Sequence, residues 1–230
     1  MRAIKGNRKS KDISKKEGSE RAQRELLLQL AAAQQLNRFI DPITKQKMSE
    51  TDPLAAEYID NELLRISDNP YYTSQRTGEG TSWSGATVSG LAKVFDPDFR
   101  GSAGHWSFIG DAFRGESNYT PTKINDRSTY NVGDIVFRPR GGVSDKSYAW
   151  MKRQGLGNRS YPGHSDIIVG VKTGPNGETI YQLQGGNMGD TLYTRDMTAS
   201  EIADAYRGAL TQNDMSNELI TSGGLKKWEQ

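Results

Sequence analysis

The order of structural signals along the chain predicts an α+β fold, with helices first and an antiparallel sheet afterwards. Three observations carry this expectation. Up to Gly115, apolar residues recur at helical spacing between proline and glycine breaks. Beyond Asn118 the pattern changes to short runs rich in β-branched and aromatic residues. Between two of these runs stands Thr173-Gly174-Pro175-Asn176-Gly177, a hairpin turn by composition, and strands joined by so short a link pair antiparallel.

The first 24 residues hold nine Lys or Arg against three acids, so this arm carries the excess of a chain whose net charge is +2. Such an arm reads as a solvated, disordered tail, with contact to nucleic acid or an acidic partner as the alternative. Ser14-Lys15-Lys16-Glu17 has the spacing of a capping box, and residues 19–39 are rich in good helix formers. Ala22, Leu26, Leu30 and Ala33 form one apolar stripe on this first helix. The stripe either packs on the chain's own domain or docks the protein into a larger assembly; the residues leave both open. A second helix is expected over 52–67, opened by Asp52-Pro53, with Leu54, Ala55, Tyr58, Ile59, Leu63 and Ile66 on one face and Asn69-Pro70 as its stop. Residues 73–81 read as a loop.

A third helix is expected over 84–95, with Val88, Leu91, Ala92 and Phe95 packed, and a fourth over 102–115, with Trp106, Ile109 and Phe113 inward. Strands follow over 134–137, 166–171, 179–183 and 191–193. Thr198 caps a short helix reaching Tyr206, and from Thr211 the chain is polar and loose. The organisation expected is an arm and anchoring helix at 1–50, one main domain at 51–210 with its core at 81–195, and a tail at 211–230.

Bulk properties exclude several classes. A hydrophobic content of 34% with 25 Gly and 8 Pro is that of a globular chain, and no apolar run approaches the roughly 20 residues that span a bilayer. The basic N-terminus is not followed by an apolar stretch, so the expectation is a chain made in the cytoplasm without a secretory leader. With no cysteine, disulfides, thiolate metal sites and a cysteine nucleophile are excluded.

Four short segments carry chemistry: Trp83-Ser84-Gly85-Ala86 at a helix start, Val132-Gly133-Asp134-Ile135-Val136 entering a strand, Gly163-His164-Ser165-Asp166-Ile167-Ile168-Val169 in the next strand, and Gly185-Gly186-Asn187 after the third. A small nucleophile at a helix N-terminus sits where developing negative charge is favoured. A histidine on a neighbouring strand can take its proton, and a polar side chain beyond can hold the imidazole. Each residue also has a plainer role. Ser84 can be a helix cap, His164 a satisfied strand-end residue and Asn187 a turn residue.

This order and spacing resembles the NlpC/CHAP superfamily of papain-like cell-wall amidases and endopeptidases. In that superfamily a cysteine opens a helix, a Gly-His pair begins the second core strand and a polar residue lies on the third. The chain looks closest to the branch reading Trp-Cys-Ala-Ala and later Gly-Gly-Asn, and it also resembles a poorly characterised relative in bacteria and phages with Trp-Ser-Ala-Ala. The resemblance covers about half the chain. It implies a papain-like fold, Ser84 as nucleophile, His164 as base, Asn187 as orienting residue, Trp83 flanking the site, and peptidoglycan amide bonds as substrate, with no cofactor. Serine in place of cysteine is a departure, because a hydroxyl must lose its proton during attack whereas a thiol is already partly ionised. Either the site is rebuilt as a Ser-His-Asn or Ser-His-Asp device, with Asp166 or Asp190 assisting, or the centre is dead.

His105, beside Trp106, either lines the cleft and touches substrate or is structural. Arg138 and Arg140 either meet substrate carboxylates or are solvated charges at a strand end. A zinc site on His105, His164 and Asp166 is the minor alternative, since three N/O ligands suffice but the usual paired-histidine spacing is absent. The expectation is therefore a peptidoglycan hydrolase carried in a phage particle. Its N-terminal helices would contact other virion or tail subunits, or further copies of the chain. The rivals are an inactive structural virion protein that binds cell wall or subunits through the same fold, and an internal protein that touches nucleic acid through the basic arm.

Overall fold

The computed structural model describes residues 6–66, 83–187 and 189–213, with side chains from residue 18 onward in the first helix. Helix α1 (Gly6–Asn37) leads into α2 (Pro53–Tyr58), a π-helical turn at Ile59–Leu63 and α3 (Leu64–Ile66). Then come α4 (Ser84–Phe95), α5 (His105–Arg114), β1 (Tyr119–Lys123), β2 (Ile135–Pro139), α6 (Tyr148–Leu156), β3 (Gly163–Thr173), β4 (Thr179–Gly185), β5 (Tyr193–Thr198), α7 (Ala199–Ala205) and β6 (Gly208–Gln212). The six strands make one antiparallel sheet in the order β1-β6-β2-β3-β4-β5, so the chain is α+β as its sequence predicts.

The sheet separates two cores, and the pleat of β3 shows how. Successive strand residues point to opposite faces. Ile167 joins Leu28 of α1, Leu91 of α4, Ile109 and Phe113 of α5 and Phe137 of β2 on one face. Ile168 joins Leu183, Ile202 of α7 and Tyr206 on the other. A third cluster, built on Phe39, Ile59, Leu63 and Trp83, wedges α2 and the π-helical turn against the start of α4.

Several expectations change here. Residues 6–24 are part of α1 rather than a disordered tail, so no helix begins at Ser14. The face of α1 turned to the domain carries Leu28, Ala32, Gln35 and, beyond the helix, Phe39; the expected stripe of Ala22, Leu26, Leu30 and Ala33 points to solvent. What decides between the two stripes is a tether from β4. The Gln184 amide donates to Ala32 O and to Gln35 Oε1, both at 3.2 Å, so a buried polar pair fixes the helix rotation. Leu54, expected on the packed face of the second helix, is half exposed. Ala55, Ile59 and Leu63 are buried as expected, and the π-helical turn widens the repeat so that Leu64, directly after it, is buried as well. The segment from Thr211 is not loose at its start, because β6 lies inside the sheet between β1 and β2. The expected stop at Asn69-Pro70, the loop at 73–81 and most of the tail lie outside the described residues.

Trp106, Ile109 and Phe113 are buried on α5, the hairpin between β3 and β4 turns at Gly174 to Gly177, and Thr198 with Glu201 completes a capping box on α7.

Candidate active site

Ser84 is the first residue of α4, a 12-residue helix whose positive end therefore lies at the serine hydroxyl. Gly85 makes this position possible: a Cβ there would collide with the Ala103 carbonyl and lie 2.9 Å from the backbone nitrogen of His105. The start of α4 and the start of α5 are thus in backbone contact. His105, the first residue of α5, reaches across so that its Nε2 lies 2.6 Å from Ser84 Oγ. Its other nitrogen, Nδ1, lies 2.6 Å from Ser165 Oγ on β3. In the tautomer protonated at Nδ1, the ring donates to Ser165 and presents the Nε2 lone pair to the Ser84 hydroxyl, the polarity a general base needs.

This row is dry. Ser84 and Ser165 have no exposed surface and His105 is 4% exposed. Burial, reinforced by the neighbouring His164, pushes the His105 pKa down to about 3, with Asp166 partly opposing the shift. The ring is neutral at physiological pH and weakly basic.

His164 and Asp166, one residue to either side of Ser165, belong to a different assembly on the α7 face. Asp166 accepts from Tyr193 at 2.6 Å on Oδ1, from Arg195 at 2.9 Å on Oδ2, and from Tyr206 on Oδ2. His164 Nε2 lies 3.2 Å from Asp166 Oδ1 and 3.1 Å from the Tyr193 hydroxyl. The single hydroxyl hydrogen of Tyr193 is spent on Asp166, so Tyr193 can only accept from the imidazole, and Nε2 carries the proton. Burial would raise the Asp166 pKa, but the bonds from His164, Tyr193 and Tyr206 outweigh it and hold the carboxyl well below the ordinary range. Burial next to this carboxylate raises the Tyr193 and Tyr206 hydroxyls far above the ordinary phenol value.

The sequence expectation paired Ser84 with His164, and that pairing is corrected. Nε2 of His164 is engaged by Asp166 and Tyr193, and Nδ1 is buried without a partner among the described residues. The pleat explains the exchange, since a one-residue offset along β3 sends Ser165 to the helices and His164 to the far face. The two imidazoles still meet at the end of β3, with ring centroids 5.4 Å apart.

Asn187 does not orient His164; it sits in the left-handed region at φ 57, where Asn is tolerated, and Asp166 holds the imidazole instead. Asp190, also left-handed at φ 58, is exposed. Trp83 flanks Ser84 from within the core, stacked on Phe39 at 5.3 Å and donating to Glu50, so no surface of it is open to a ligand. Arg138, half buried, lies over the Tyr206 ring at 5.9 Å. The zinc alternative is not built: His105 spends both nitrogens on serines while His164 turns Nε2 to Asp166, so the three donors do not converge.

Sequence reasoning missed Ser165, Tyr193, Arg195 and Tyr206. Tyr193 and Arg195 occupy alternate positions of one strand, which is the signal that could have found them. No protein-family model, curated protein or solved structure matches this chain. The geometry therefore stands alone.

Proposed function

We propose that this chain is a peptidoglycan-directed amidase or endopeptidase of papain-like, NlpC/CHAP type, in which Ser84 is the nucleophile and His105 its base. The observation that carries the reading is the 2.6 Å contact between Ser84 Oγ and His105 Nε2 at the positive end of α4, with Ser165 holding the other nitrogen. Ser84 Oγ would attack the amide carbonyl carbon as its proton passes to Nε2. The tetrahedral oxyanion would then collapse and expel the amine, which leaves with that proton. Water would release the acyl group from Ser84 by the same steps in reverse order.

The wall substrate comes from the family resemblance, and the apolar stripe on the solvent side of α1 supports an anchoring role for that helix in a virion or tail assembly. Among the described residues no helix is long and apolar enough to cross a membrane.

Incubation of the full chain with purified peptidoglycan tests the reading. New amino and carboxyl ends are expected, lost in both Ser84→Ala and His105→Asn. A second reading, a structural protein with a silent centre, is favoured by one observation: the Ser84-His105 pair is fully enclosed and its imidazole weakly basic. No new ends from wild-type protein that still sediments with the wall would establish that reading instead.

A further inference from the structure

Three buried side-chain nitrogens without hydrogen-bond partners among the described residues, Arg138 Nε, His164 Nδ1 and Arg195 Nε, fall in one neighbourhood on the α7 face of the sheet. Arg138 and His164 are register partners on β2 and β3, so their side chains stand next to each other on that face. The guanidinium carbons of Arg138 and Arg195 lie over the same ring, Tyr206, at 5.9 and 5.5 Å. Buried polar groups in folded proteins are nearly always paired, so such a concentration of unspent nitrogens calls for an explanation.

Charge sharpens the point. The carboxylate among these groups is Asp166, and four donors saturate it: His164, Tyr193, Arg195 and Tyr206. Nothing of it is left for Arg138, whose guanidinium makes no hydrogen bond or ion pair among the described residues. Among the described residues, two guanidinium groups stand against this one carboxylate, which leaves positive charge uncompensated. Both arginines are only half buried, so their outer edges reach solvent while the Tyr206 ring backs them.

We infer that Arg138, seconded by Arg195, binds a ligand carboxylate on the α7 face beside His164. A planar guanidinium offers two parallel N–H donors matched to the two oxygens of a carboxylate, and the Tyr206 ring, 5.9 Å from the Arg138 guanidinium carbon, adds a cation–π contact that favours the charge there. The ligand class is a molecule with a free carboxylate, such as a peptide C-terminus. The site stands whether or not Ser84 is a nucleophile, because none of its groups touches that hydroxyl.

Titration of the full chain with N-acetylalanine, N-acetylalaninamide and inorganic phosphate, read through the arginine Nε–Hε NMR signals, tests this. Saturable shifts of the Arg138 and Arg195 signals are expected with the acid and not with the amide. Arg138→Gln should weaken binding by about tenfold or more, and Arg138→Lys should recover only part of it, since the charge returns without the fork. Ser84→Ala should bind as wild type does, which separates this site from the hydrolase reading. Equal response to acid and amide, absence of saturation, or binding of phosphate ahead of the acid would overturn the proposal. If Arg138→Gln does not fold, the comparison of acid with amide on wild-type protein still decides.

Discussion

Ser165 and Asp166 are consecutive on β3, yet they serve opposite faces of the sheet. Ser165 Oγ holds Nδ1 of His105 among the helices, while Asp166 gathers His164, two tyrosines and Arg195 beneath α7. The Ser84-His105 row and the carboxylate network are thus two devices that share a strand and touch where the histidine rings meet. Changes on one face should leave the other largely intact.

Gly185 and Gly186, which precede the residue read from sequence as a turn, make room for the carboxylate network and for the side chains flanking Ser84, respectively. A Cβ on Gly185 would overlap Asp166 Oδ1 and press on the Tyr193 hydroxyl; one on Gly186 would lie 2.6 Å from both Thr87 Oγ1 and the Trp83 ring. Gly185→Ala should cost roughly 1–3 kcal/mol or more. Urea denaturation measures it, and a change of under about 0.5 kcal/mol would show that the network does not need the gap.

The two sides of α1 should respond differently to truncation. Leu28→Ala empties a fully buried position in the main core and should cost about 2–5 kcal/mol, whereas Leu26→Ala and Leu30→Ala, at solvent positions, should stay within about 0.5 kcal/mol. The same denaturation series checks this. An equal loss on both faces would mean that the helix is turned the other way.

Acid should weaken the fold through His105. Folded, its pKa is about 3, against roughly 6.5 for an unperturbed histidine. Between these values the unfolded chain binds a proton that the folded chain does not, so the neutral ring carries no penalty above about pH 6.5. Stability then falls as pH drops toward 3, by at most about 1.4 kcal/mol per unit. Comparing the stability of wild type and His105→Asn between pH 7 and 5 isolates the effect. The variant should lose less than the wild type over that window, and parallel curves would contradict the buried, neutral imidazole.

Much of the fold is legible in the sequence because local signals and tertiary contacts agree there. The extent of α4, the inward face of α5, the turn between β3 and β4 and the cap at Thr198 are all of this kind. β1 and β6 are not legible. β1 reads Tyr-Thr-Pro-Thr-Lys, with a proline tolerated because the strand lies at the sheet edge, and edge position is a property of the assembled sheet. For the candidate site, the residue types and their neighbourhood are legible, but the partner of Ser84 is not. A Gly-His-Ser-Asp run does not reveal which of its residues faces the helices, and the pleat that settles it depends on pairing with β2 and β4.

The most direct measurement is covalent labelling of the full chain with a fluorophosphonate, followed by mapping of the adduct by mass spectrometry. Labelling at Ser84 that disappears in His105→Asn and persists in Arg138→Gln is the predicted result. An unlabelled Ser84 in wild-type protein, or labelling that survives the loss of His105, would contradict the claim that these two residues form a nucleophile and its base.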